Sequence, residues 1–491
     1  MKMMRRCILA GAAAWAVAGL PCQAAGIQIV SGAADNQVFQ RGADNRADIH
    51  LAGTCSGGGR IEARVAAAKG VVAGLKWHAA GSAANGNWSA TIKGVPVGGP
   101  YTIQVRAAGS AEVAAVKDVL VGDLWILAGQ SNMQGVGNLV DAEPPNPQVH
   151  SFDMADNWAV AQEPLHVLPG AVDRVHWPRN KDKTPERLTG EKLAAYVANL
   201  KKGAGLGLPF AVEMVRRTGV PVGLVPCAHG GTSMDQWSPA LKDQGGDSLY
   251  GAMLRRFQAV GGRVKGVLWY QGESDSSAKA APLFQSKFEH LVAAVRADFK
   301  QPDLPFYYVQ IGRFVNRGGE AGWNMVQQMQ LEAESRIPRT GMVAAVDLDL
   351  DDLIHVGTQD LKLLGQRLAK LAATDLFPEL KGFGPFQRGP RPVSATYKDG
   401  AVRVLFSHVN GRLTSLGRIA GFSIHNAVGE PLALIYKARV DPATPSAVLL
   451  YTNSKPPEGA VLHYGYGKDP YCNLRDEAGM GAPVFGPMPI Q

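Results

Sequence analysis

Four short polar clusters each follow an apolar run in the middle of the chain, and their residue types suit one kind of chemistry. Gly129-Gln130-Ser131-Asn132-Met133 follows Leu124 to Ala128. A glycine at a strand exit permits a tight turn, and a serine two residues on can stand at the mouth of a sheet with its own N–H free for an anion. Asp352-Leu353-Ile354-His355 sits just after the run that ends at Leu350. A carboxylate three residues before a histidine can fix the imidazole's tautomer while the other ring nitrogen faces a serine. Ser131, His355 and Asp352 are thus the expected nucleophile, base and orienting acid. Gly230-Gly231-Thr232 follows Val222 to Pro226, and an unhindered backbone there can aim N–H groups at a developing oxyanion, alongside that of Ser131. Gln271-Gly272-Glu273-Ser274-Asp275 follows Val264 to Tyr270. The Gln271 amide is the expected side-chain donor to the oxyanion, and Glu273 or Asp275 the braces of its loop.

Each cluster alone also has an ordinary reading, as a turn or a helix cap. The chain order Ser131, Asp352, His355 separates the set from the α/β-hydrolases, and Met133 stands where their Gly-x-Ser-x-Gly elbow needs glycine. Asp347, Asp349, Asp351 and Asp352 offer a competing reading as ligands of a divalent metal. Strand alternation would put the first three on one side, with no second histidine near, so neither a metal nor another cofactor is expected.

These clusters need a scaffold that brings strand ends together. From about residue 120 to 380, strand-like runs (also Pro305 to Ile311 and Met342 to Leu348) alternate with helical stretches, Glu191 to Leu200, Pro209 to Arg217, Pro282 to Phe299 and Gln359 to Ala373. Strand and helix in alternation imply a parallel sheet covered on both faces, with ligands at the carboxyl ends of the strands. Residues 26–119 show short alternating runs broken by Gly and Asn, the pattern of a small β-sandwich. A Gly- and Pro-rich linker, Lys381 to Pro392, leads into a β-rich zone over 381–491, with strands at Val402 to Phe406, Ala447 to Tyr451 and Val461 to Tyr466.

Composition narrows the function classes. At 491 residues the chain exceeds one core, and 46% hydrophobic with 19% charged residues excludes wholesale disorder and a multi-span membrane protein. The 58 glycines follow no Gly-X-Y period, which excludes collagen. The net charge of +8 is scattered rather than blocked, so nucleic acid is not an expected partner. Residues 1–25 read as an export signal: Lys2, Arg5 and Arg6, then the apolar stretch Cys7 to Leu20, then the small-x-small site Cys22-Gln23-Ala24. The stretch is short of the roughly 20 residues that span a bilayer, so the mature protein is expected to be periplasmic or extracellular with no membrane span. Cys55, Cys227 and Cys472 remain in it, an odd set that allows at most one internal disulfide.

Together, Gly122 to Met133, Gly230-Gly231-Thr232 with Trp237, Trp269-Tyr270-Gln271-Gly272-Glu273, and Asp352 to His355 with Gly365-Gln366-Arg367-Leu368 closely resemble the blocks of the sialate O-acetylesterase family, a branch of the SGNH (GDSL-like) hydrolases. Tyr464 to Gly467 with Asn473-Leu474 resembles that family's closing segment. The resemblance implies a three-layer, flavodoxin-like α/β core flanked by the two β-rich zones, and hydrolysis of a carbohydrate acetyl ester through an acetyl-enzyme. It implies Ser131 as nucleophile, His355 and Asp352 as its partners, and Ser131, Gly230 or Gly231, and Gln271 as oxyanion donors. Two departures stand out: Val356 replaces a common proline, and the superfamily's third-block asparagine gives way to the Gln271 to Asp275 variant. O-acetylated sialic acid is the leading substrate by family, with acetylated plant polysaccharide such as xylan beside it. A catalytically silent glycan-binding protein is the alternative of another class. A sialate carboxylate needs a cation or donor near the pocket, and His229 and Arg313 are the candidates, although either can be an ordinary turn or surface residue.

Overall fold

The computed structural model describes residues 26–68, 70–179, 182–380 and 386–491. The expected export signal, with Cys7 and Cys22, lies outside the described residues, as do residues 381–385 of the expected linker.

Continuous apolar runs, too short for helices and rich in β-branched and aromatic residues, form the central strands. These are β1 (Ala114–Gly129), β2 (Val149–Phe152), β3 (Val222–Pro226), β4 (Gly266–Tyr270), β5 (Phe306–Gln310) and β6 (Thr340–Ala344). They pair in parallel in the order β2-β3-β1-β4-β5-β6, with Trp158–Val160 antiparallel to β2 at the edge. Without β2 the chain order across the sheet is 2-1-3-4-5, the doubly wound order in which strand order reverses beside the first strand. Every residue of β3 to β6 is buried, as a sheet covered on both faces requires.

The helices that cover it are α1 (Gly207–Thr218), α2 (Leu249–Ala259), α3 (Phe284–Asp298), α4 (Glu320–Arg336) and α5 (Thr358–Leu376). α1 packs on α5, and α3 on α4. The first pair meets at Gly365, where a Cβ would lie 2.6 Å from the Leu206 carbonyl oxygen and 2.8 Å from the Phe210 nitrogen. Only glycine lets the two backbones come that close.

β1 is longer than its apolar run. Its first part pairs antiparallel with Gly98–Ala107, the last of a continuous hydrogen-bonded path of strands from Gln28 onward, and its second part pairs in parallel with β3 and β4. The boundary expected between Val119 and Leu120 therefore falls inside one strand. Alternate residues of the N-terminal strands, including Ile49, Ile61, Ile92 and Ile103, close a core of their own. A third core, around Val402, Leu450 and Leu462, fills the C-terminal β-rich part. Cys55, Cys227 and Cys472 are free and buried, one in each core, and so do not pair.

The last expected central strand ends at Ala344 rather than Leu348, so the aspartates that follow do not alternate along a strand. Asp347 turns fully inward to the equally buried Arg367 of α5, Oδ1 to Nη1 2.8 Å, and also meets Arg475 of the C-terminal part. Burial by itself would raise the Asp347 carboxyl, but the two guanidinium groups hold it below its ordinary value. This pairing, with Gln310 exchanging two hydrogen bonds with the Val484 backbone (2.8 and 2.9 Å), ties the C-terminal part to the sheet. Asp347→Ala leaves the Arg367 charge buried without its carboxylate and is expected to cost roughly 3–5 kcal/mol, read as a lowered urea midpoint at unchanged slope.

Candidate active site

β1 delivers Ser131 to the carboxyl edge of the sheet. Gly129 has φ +135°, and a Cβ there would lie 2.2 Å from the Tyr270 carbonyl oxygen of neighbouring β4, so the strand exit requires glycine. Ser131 then opens the short helix Ser131–Gln134. The loop after β6 brings His355 across from it. His355 Nε2 lies 3.0 Å from Ser131 Oγ, and His355 Nδ1 lies 2.8 Å from Asp352 Oδ2. The other Asp352 oxygen accepts the backbone N–H groups of Ile354 (3.0 Å) and His355 (2.9 Å). Burial opposes them, but these hydrogen bonds and that of the imidazole hold the Asp352 carboxyl down at about 2. The three side chains form a line in which the serine hydroxyl can pass its proton to an imidazole steadied by an ionised carboxylate.

The expected oxyanion donors divide. The N–H groups of Ser131 and Gly231 meet no acceptor among the described residues. The Gly230 N–H donates to Gln134 Oε1 at 2.8 Å, while Gly230 itself lies against Ser131, a Cβ there falling 3.4 Å from the serine Cβ. Gln271 corrects its expectation. Its amide is fully buried and donates to the Thr232 carbonyl (3.0 Å) and to Asp275 Oδ2, so no N–H is left for a substrate. Gln271 braces two strand-exit loops because the pocket behind Thr232 offers it acceptors the serine side does not. Asp275 shares that role, accepting the Met234 N–H at 2.9 Å. Glu273 accepts from Asn132 Nδ2 at 3.0 Å, and burial raises its carboxyl above the ordinary value.

Neither candidate for the substrate carboxylate stands as expected. Arg313 pairs with Asp469 at 2.8 Å and lies 3.7 Å from Asp349, joining the C-terminal part to the strand-exit loops. His229 is half-buried beside Gly230, and burial lowers its imidazole below the ordinary value, which keeps it neutral near pH 7. The metal reading finds no convergent ligands: Asp347 belongs to its arginines, Asp351 accepts from Asn138 (2.9 Å), and Asp352 faces His355. Among the described residues no three His, Cys, Asp or Glu side chains come together as a ligand set.

Two residues near the serine escaped the sequence reading. Gln134 holds Gly230. Asn132 joins the loop after β1 to the histidine loop, accepting the Val356 N–H at 3.1 Å while donating to Glu273. An asparagine directly after the serine was visible, but nothing local says that its partners lie more than 140 positions away.

The sequence profile of the family described as carbohydrate esterase, sialic acid-specific acetylesterase, matches residues 121–374, from inside β1 to the last turn of α5. The chain belongs to this family. It is a carboxylic ester hydrolase, of the class that removes O-acetyl groups from carbohydrates. A probable carbohydrate esterase of Arabidopsis thaliana is 29% identical over 273 residues, covering 50% of this esterase and 88% of the plant protein. The human sialate O-acetylesterase is 26% identical over 302 residues, 53% of this chain and 54% of that one, so the esterase spans about half the length of its mammalian relatives. The crystal structure of a carbohydrate acetylesterase from Xanthomonas citri superposes with a TM-score of 0.64 at 24% identity, covering 94% of this chain and 99% of that one, a likeness of fold.

Two outcomes follow from this geometry. Asn132→Ala unties the serine loop from the histidine loop and is expected to lower kcat on the order of 100-fold, through misplacement of the imidazole, with the thermal midpoint nearly kept. Because the folded-state Asp352 carboxyl lies near 2, its charge persists on acidification and is lost only as pH falls through that value; a carbon-13 titration of its carboxyl should show the midpoint well below the ordinary 3.8.

Proposed function

We propose that this esterase acts outside the cytoplasm through a Ser131-His355-Asp352 triad. The line of hydrogen bonds from Ser131 Oγ through His355 to Asp352, 3.0 and 2.8 Å, is the observation that supports the reading. Ser131 Oγ attacks the acetyl carbonyl carbon as His355 Nε2 takes its proton. The negative oxygen of the tetrahedral intermediate is met by the N–H groups of Ser131 and Gly231. Collapse breaks the bond to the sugar oxygen, which receives the proton from His355, and leaves acetyl on Ser131. Water, activated by the same imidazole, then releases acetate. Export rests on the N-terminal signal pattern. Among the described residues no helix is long and apolar enough to cross a membrane.

The family description favours O-acetylated sialic acid as substrate. A second reading, neutral acetylated polysaccharide such as xylan, is favoured by the absence of a ready cation at either expected position, Arg313 being ion-paired and His229 neutral. Comparison of 9-O-acetylated sialic acid with acetylated xylo-oligosaccharide separates the two.

Ser131→Ala and His355→Ala are each expected to lower kcat by roughly 10⁴- to 10⁶-fold with the fold retained, and Asp352→Asn by less. Hydrolysis of 4-nitrophenyl acetate measures all three. Near-native turnover by a folded Ser131→Ala protein would sink the serine mechanism.

A further inference from the structure

A cavity of about 500 Å³ is walled by His229, Thr232, Trp177, Arg179, Gln236 and Gln244, and Gly230, which lies against Ser131, directly follows His229 in the chain. Its inner wall is fixed to the catalytic end of β1. The His229 N–H donates to the Gly129 carbonyl at 3.0 Å, and the His229 carbonyl accepts from Thr232 Oγ1 at 2.7 Å, itself held by Trp237 Nε1 at 3.0 Å. On the far side Trp177 directs its indole N–H to the Ala171 carbonyl (2.8 Å). Its ring is thereby anchored as part of the cavity wall. One anchored aromatic ring with a few polar groups is the make-up of a site for a small polar ligand.

The His229 ring does not stand alone. Its Nδ1 lies 3.1 Å from Nδ1 of His176, and the two rings meet edge to edge, with centroids 5.3 Å and planes 24° apart, as an in-plane hydrogen bond requires. One proton lies between these nitrogens, so one ring donates and the other accepts. Burial, then any charge on His229 and that of Arg256, holds His176 well below the ordinary imidazole value, so both rings are neutral near pH 7. The other nitrogen of His176 is wholly buried with no partner among the described residues. Were His229 the donor, that nitrogen would carry an orphaned buried N–H; with His176 as donor it keeps only an unmet lone pair, the less costly defect. His176 Nδ1–H therefore donates to His229 Nδ1, which leaves the proton of His229 on Nε2. That atom has no partner among the described residues and is not among the wholly buried polar atoms. His229 lines the cavity, and this is the ring nitrogen it has free to offer there.

We propose that this cavity is the sugar subsite of the esterase, in which His229 presents an Nε2–H donor to an oxygen of the acetylated sugar and His176 is the positioning residue that fixes its tautomer. The proposal rests on the Ser131 mechanism above and adds to it a determinant of the sugar. A neutral donor suits a hydroxyl, ring or acetyl oxygen, while the exposed Arg179 and the exposed Asp247 both line the cavity, so an anionic sugar would meet one charge of each sign where a neutral one meets neither.

The test compares wild type, His229→Ala, His229→Gln, His176→Phe and Ser131→Ala on 4-nitrophenyl acetate, which has no sugar, and on acetylated xylo-oligosaccharide and 9-O-acetylated sialic acid. The readout is the ratio of kcat/KM on the faster sugar to that on the aryl ester. His229→Ala is expected to lower the ratio about ten-fold, mainly through KM, with His229→Gln restoring part of it because its amide keeps an N–H. His176→Phe keeps a buried ring without the donor and is expected to lower the ratio as well. Long-range proton–nitrogen spectra of the wild type should show the Nε2–H form of His229 and the Nδ1–H form of His176. An unchanged ratio in folded His229→Ala, or the opposite tautomers, overturns the subsite while Ser131→Ala remains dead. Survival of activity in Ser131→Ala overturns the underlying mechanism instead.

Discussion

One strand carries two sheets. The sixteen residues from Ala114 to Gly129 pair antiparallel with the N-terminal strands along their first part and in parallel with β3 and β4 along their second. Because both neighbours of its last residues are central strands, their direction is fixed from two sides. Ser131, two residues beyond the end, inherits that fixity, and the reversal of strand order beside β1 opens the crevice into which the serine points. The N-terminal part is consequently no appendage on a tether: Val38–Gln40 adds a further parallel pairing to β1, and Arg41 closes on Asp123 with bonds of 2.9 and 2.8 Å.

Behind the serine, rigidity comes from buried polar groups rather than from apolar packing alone. Asn132, Glu273, Gln271 and Asp275 link the exits of β1, β3 and β4 and the histidine loop, and Gln330 of α4 reaches the Gln271 carbonyl at 3.0 Å. Such a network is demanding, since a buried group without a partner is costly, and Gln271 Oε1 and Glu273 Oε2 have no partner among the described residues. What the network gives in return is direction. Hydrogen bonds fix angles as well as distances, and the line from Ser131 through His355 to Asp352, drawn from two distant loops, depends on angles.

How much of this was legible in the sequence depended on whether the signal was local. The central strands declared themselves as apolar runs, with β3 found at its observed ends, Val222 and Pro226, and the serine and histidine clusters were visible because each is a short motif at a strand exit. α2 and α4 went unread. Leu249–Ala259 is short and interrupted by glycine, and Glu320–Arg336 carries Gln327 and Gln330 where apolar residues would mark a buried face. Those glutamines are buried because they bond strand-exit backbone, a reason that exists only in three dimensions. Gln271 was misjudged on the same ground: its residue type suits an oxyanion donor, and only the positions of Thr232 and Asp275 reveal where its protons go. The length of β1 was hidden because Lys117 and Asp118, both exposed, with Asp118 at φ +54°, interrupt its first part before the continuous buried run begins.

The three free thiols among the described residues have a use that comes from their placement. Cys55, Cys227 and Cys472 sit one to a core, each at most 9% exposed. An alkylating reagent reaches a buried thiol only when the surrounding structure opens. Each part of the molecule thus contains its own timekeeper, and the order in which the three sites acquire label as denaturant rises records, without any engineered probe, whether the shared strand makes the N-terminal and central cores let go together.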